Sequence, residues 1–209
     1  MLCPPVLVLI RCAQEGRERR RWVQHAVPQR LRNKTRGSIV VDKHNRRSVR
    51  LQGFDYSTPG AYFLTICTKD LRHAFGEVMN GEMHLSAEGK LVQAQWEGLP
   101  AHFPHIDLDE FVVMPNHVHG IVFVTERPSY GLADRGLGTV AKGSIPVIVR
   151  SFKSAATREV RLLTRSVEPL WQRNYYEHVV RTEASLQTLR EYISENPLKW
   201  ELDEHNIRR

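Results

Sequence analysis

A chain of 209 residues is long enough for one ordinary domain with a full core and short for two of typical size. Its 41% apolar and 25% charged residues are those of a folded globular body and exclude wholesale disorder. The net charge of +7 does not belong to that body, because residues 1–50 hold 13 Lys/Arg against 3 Asp/Glu while the rest of the chain holds 17 against 20. A local excess of eight basic over four acidic residues between 150 and 190 is the better sign of a polyanionic partner. Cys3, Cys12 and Cys67 are an odd set without metal-ligand spacing, which points to a reducing, cytoplasmic setting. The apolar run Val6–Ile10 is far short of the ~20 residues of a spanning helix, and no basic segment precedes it as in a signal peptide, so neither membrane insertion nor export is expected.

In chain order, residues 1–45 lack sustained periodicity and read as a mobile basic arm, and residues 46–209 read as a single domain. Tyr62–Thr68 is β-branched and aromatic, a buried strand by length and content. Ala74–Met79 and Glu82–Leu85 flank Asn80-Gly81, a dipeptide that accepts positive φ, and predict a hairpin. Ser86 is a good N-cap, with Glu88 in the first turn, for a helix through Leu91 and Trp96 to about Leu99. Phe111–Met114 and Val118–Val124 read as strands broken by Pro115-Asn116, and residues 126–145 as a loop.

Two helices close the chain. On the first, about Pro146 to Arg165, a turn of 100° per residue gathers Arg150, Lys153, Arg158, Arg161 and Arg165 on one side and Phe152, Ala156, Val160 and their neighbours on the other, with Glu159 misplaced on the apolar side. The second starts near Thr182 and ends before Pro197. The expected fold is α+β, a ferredoxin-like antiparallel sheet with helices on one face that carries a C-terminal helix bearing the site.

Residues i and i+2 of a strand share a face with Cα atoms roughly 6.5 Å apart, so His117 and His119 can converge on one ion. An isolated His-X-His is more often two surface histidines. Here Tyr192 and Asn196, four apart on the last helix, can bring a phenol nucleophile and an amide oxygen to the same place. Tyr175 and Tyr176 compete for the nucleophile, but in company with Trp171 and Arg173 they suit base stacking equally. The basic face Arg150, Lys153, Arg158 and Arg161 is suited to tracking phosphates.

These segments together resemble the HUH single-tyrosine transposases, in particular the REP-associated tyrosine transposase branch. The resemblance runs from about Arg47 to Trp200 and rests on Gly53–Ser57, Tyr62–Lys69, Leu108–Gly120, Ser151–Ser154 and Tyr192–Trp200. It implies that His117, His119 and Asn196 hold a divalent Mg²⁺ or Mn²⁺ ion. It also implies that Tyr192 attacks single-stranded DNA at hairpins to give a 5′-phosphotyrosine and a free 3′-OH, and that the protein acts as a homodimer in DNA transposition, without a small-molecule substrate. In insertion-sequence relatives the Asn196 position is usually Gln, one methylene longer. Three other readings stay open: a histidine-triad hydrolase, which needs a third histidine where Ile121 stands; a hairpin-binding module without cleavage; and an RNA-binding sheet.

Overall fold

The computed structural model describes residues 54–127, 143–203, 205 and 206. The N-terminal arm and most of the 126–145 loop lie outside the described residues. Among the described residues there are six strands: β1 (Gly60–Cys67), β2 (Gly76–Met79), β3 (Glu82–Leu85), β4 (Ile106–Val113), β5 (His117–Val124) and β6 (Tyr176–Val180). Four helices accompany them: α1 (Ala87–Glu97), the single turn α2 (Leu99–His102), α3 (Ile145–Thr164) and α4 (Glu183–Ser194).

The four long-range strands form one antiparallel sheet in the order β4-β5-β1-β6, with β2-β3 as a separate hairpin. Leaving the hairpin aside, the order is that of a βαββαβ ferredoxin-like sheet. The expected α+β architecture is therefore what the chain adopts. β6 was not expected from the sequence. It is a short edge strand that pairs Thr65 with Tyr176 and Phe63 with His178, and it supplies the fourth position of the sheet.

Local chemistry sets most of the boundaries. The Ser86 side chain accepts from the Gly89 amide and starts α1, and the Thr182 hydroxyl does the same for Ser185 at the start of α4. Asn80 and Gly81, at φ of 53° and 79°, make the tight turn of the hairpin. Proline in the first turn of α3 costs no hydrogen bond there.

α1 and α3 pack on one face of the sheet. Trp96 of α1 stacks on Phe111 at 4.6 Å between ring centroids and meets Phe152 of α3 edge-on at 5.3 Å. Its ring lies so close to β5 that a Cβ on Gly120 would stand 2.3 Å from Cζ2. α4 crosses the opposite face, burying Leu186, Leu189 and Ile193. There the half-buried Arg190 guanidinium grips Asp109 of β4 at 2.8 Å, next to the irregularity in the β4-β5 register between Leu108 and Phe111. That ion pair and the apolar stripe fix where residue 192 falls.

Candidate active site

His117 and His119 lie on the α4 side of β5, both buried at 0% and 2% exposure, with ring centroids 4.5 Å apart. Partners across the ladder share a face, so Thr65, opposite both His119 and Tyr176, belongs to the same surface. Tyr192 comes down on it from α4. Its Oη lies 3.3 Å from His119 Nε2, and its ring meets His119 at 5.1 Å and Phe63 at 6.1 Å between centroids. The structure thus brings together the two histidines and the tyrosine singled out in the sequence.

The tautomer of His117 follows from its neighbours. Asn116 Nδ2 sits 3.1 Å from the Leu71 carbonyl and 2.6 Å from the His205 carbonyl, and carbonyls only accept. Both amide hydrogens are therefore spent, and Asn116 Oδ1, 2.8 Å from His117 Nδ1, can only accept. His117 Nδ1 carries the proton, and Nε2 presents a lone pair. That Nε2 is buried without a hydrogen-bond partner. His119 is set the same way: with its Nε2 accepting from the Tyr192 hydroxyl, Nδ1–H donates to Thr65 Oγ1 at 2.9 Å. An outer hydrogen bond that fixes ring and tautomer is the usual support of a metal-binding histidine.

Both imidazoles are held well below their ordinary pKa, first by burial and then by neighbouring histidines. They are neutral at physiological pH, the form in which an imidazole can ligate a metal. Burial also lifts Tyr176 to about 12 and, with Asp55 behind it, Tyr62 to about 12. Tyr176 shares the site's face but is a poor candidate for a nucleophile.

The cluster also has an acidic member, Asp203, that was not expected from the sequence. One ligand atom each from His117, His119 and Asp203 lies within 4.8 Å of the others, and the three could hold a metal ion. Asp203 follows a turn of 3-10 helix at Trp200–Leu202, and its Oδ1 also accepts from His205 at 2.9 Å. Burial opposes ionisation of Asp203, but the hydrogen bond and charge of His205 hold its carboxyl below the usual range. The His205 ring lies tilted against His117, 4.5 Å between centroids; burial would lower it, but hydrogen bonds to Asp203 and Cys67 carry it up to about 10. Asn196, the amide expected as third ligand, is 2% exposed, and its Oδ1 is buried without a partner.

The basic face of α3 divides. Arg150, Arg158 and Arg161 are exposed, whereas Lys153 bends over to the carbonyls of Gln172 and Arg173, at 2.6 and 3.3 Å. Burial lowers Lys153 to about 8. Glu159, misplaced on the helical projection, is accounted for by an ion pair with Arg158 at 2.8 Å.

Against known proteins, a solved REP-associated tyrosine transposase bound to a REP hairpin superposes with a TM-score of 0.50 over 74% of each chain, at 17% identity. The chain has a REP-associated tyrosine transposase-like fold. In sequence, an uncharacterized Haemophilus influenzae protein is 41% identical over 168 residues, covering 77% of this chain and 93% of that one. The two belong to one family. A candidate transposase from Deinococcus radiodurans superposes with a TM-score of 0.42 at 16% identity, over 69% of this chain and 96% of that one. No family model matches the chain. Among the described residues, no helix is long and apolar enough to cross a membrane.

Proposed function

We propose that this protein is a metal-dependent single-stranded DNA nuclease and strand transferase of the transposase type, acting at hairpins through Tyr192. The observation that carries the reading is the approach of Tyr192 Oη to 3.3 Å from His119 Nε2, on a site whose other imidazole nitrogen is buried and unpartnered. A phenol held beside a cluster of neutral nitrogen donors and a carboxylate is what cleavage by a side-chain nucleophile requires.

His117, His119 and Asp203 would hold a divalent ion, with the Asn196 amide oxygen as a fourth candidate donor. Two imidazoles beside oxygen ligands suit manganese better than magnesium. The bound ion would supply charge neutralisation at the phosphate. Asn116 and Thr65 keep both rings in the ligating tautomer. The Tyr192 hydroxyl, 3.3 Å from His119 Nε2, is positioned to reach a phosphate held at the same site. Its oxygen forms the new bond to phosphorus, the bond to the 3′ oxygen breaks, and the phenol's proton ends on the departing 3′-OH. The 5′ side stays as a phosphotyrosine, and the reverse attack by a 3′-OH rejoins strands. A homodimer would serve to read the hairpin and not to complete the site, because both histidines and Tyr192 come from one chain.

The test is an adduct gel with a hairpin oligonucleotide carrying single-stranded flanks, with and without Mn²⁺. A denaturation-resistant protein–DNA band that needs the ion is expected. A band that persists in Tyr192→Phe sinks the assignment of the nucleophile.

A further inference from the structure

Beyond α3 the chain turns at Arg165, a left-handed residue at φ 55°, and runs back beside the helix. This return segment is fastened along its length. Arg161 donates to the Val167 carbonyl at 3.1 Å, Trp171 Nε1 donates to the Lys153 carbonyl at 3.2 Å, and Lys153 Nζ holds the carbonyls of Gln172 and Arg173. Between helix and segment lies an open groove of about 800 Å³ whose lining includes Lys153, Arg158, Arg161 and Arg173 and no carboxylate residue.

The charges in this groove are poorly compensated. Arg158 has Glu159 beside it, but Lys153, Arg161 and Arg173 make no ion pair among the described residues. Lys153 is half-buried with only carbonyls for partners, so the wall of the groove carries positive charge that an anion would relieve. The groove also has a direction. Its floor is tied to the end of β1, where the Lys69 amide donates to the Leu170 carbonyl and the Gln172 amide to the Cys67 carbonyl, each at 2.9 Å. Cys67 is the residue paired with His117. The groove lies on the α3 side of the sheet, across from the histidines, and its floor reaches the sheet's end at Cys67, from which a DNA strand has only that end to round.

We propose that this groove binds the phosphodiester backbone of the single DNA strand next to the linkage being cut, through Arg161 and Arg173 with Lys153 in its wall; this rests on the nuclease reading above. Arg173 comes from the return segment and was not part of the basic face read from the helix. Lys153, expected on that face, shapes the groove by holding the return segment. Arg150 does not line it.

The test is binding of the full-length protein to a fluorescent hairpin with a single-stranded flank, by anisotropy, across a salt series. Two lost contacts to a single strand should reduce the slope of log Kd against log salt by about 1.4 and weaken binding about tenfold at ~0.1 M salt for Arg161→Ala/Arg173→Ala. The N-terminal arm contributes equally to both proteins and cancels in the difference. Arg161→Lys/Arg173→Lys should restore most of the slope, and Lys90→Ala, an exposed cation on α1, should leave it unchanged. A double alanine variant that keeps the native affinity and slope overturns the groove while leaving the nuclease reading intact, provided the native protein still forms its adduct. A native protein that neither binds the flank nor forms an adduct overturns both.

Discussion

The β5-α4 site and the α3 groove are built on opposite principles. At the β5-α4 site most polar atoms are buried and spoken for, while His117 Nε2 there and Asn196 Oδ1 after α4 are buried without a hydrogen-bond partner. Along α3 the charges are exposed or unpaired, and the floor is backbone. Cleavage needs groups fixed to within a fraction of an ångström. Holding a strand needs positive potential and tolerance of many sequences. Changes in the first region should therefore destroy chemistry while sparing binding, and changes in the second should do the reverse.

The largest expected effect is that of Tyr192→Phe, which should lower adduct formation by at least about 10³-fold with hairpin affinity retained. Next comes the choice of third ligand. Asp203→Asn should weaken Mn²⁺ binding by calorimetry more than about tenfold, and Asn196→Ala less; the opposite order would return the ligand role to the amide expected from the sequence. Asn116→Ala removes the acceptor that fixes the His117 tautomer and should cost about 10- to 100-fold in metal affinity without touching an ion directly. Gly120→Ala places a methyl group against Trp96 and should cost about 1–3 kcal/mol, read as a fall of several degrees in Tm.

The smallest effect belongs to the groove. Lys153 is depressed from 10.5 to about 8 in the folded chain, so between these values the unfolded chain binds more protons and stability rises with pH. Compared with Lys153→Met, the native protein should gain about 1–2 kcal/mol between pH 8 and 10.5, after allowance for its partial exposure. Denaturant titrations at the two ends of that range measure it.

Much of this was legible from local signals. Ser86 and Thr182 mark their helices because a cap is a contact within three residues, and Asn80-Gly81 marks its turn for the same reason. His117, His119 and Tyr192 could be found because strand and helix periods place them on faces and the family resemblance singles out those faces. β6 was missed because five residues that include a glutamate and a histidine gain their strand character only from pairing with β1, more than a hundred positions away. Asp203 was missed because it follows α4 in a stretch without period, and only the turn at Trp200 brings it back to the histidines. The bend of Lys153 depends on carbonyls that a helical projection does not contain.

The bare backbone at Gly120 has a consequence for how this family can vary. The strand that displays the histidines is pressed from behind by an indole, so any side chain at 120 demands a smaller residue at 96. A change at either position is felt at the other, so the placement of the histidines in front of the sheet is coupled to a helix on its far side.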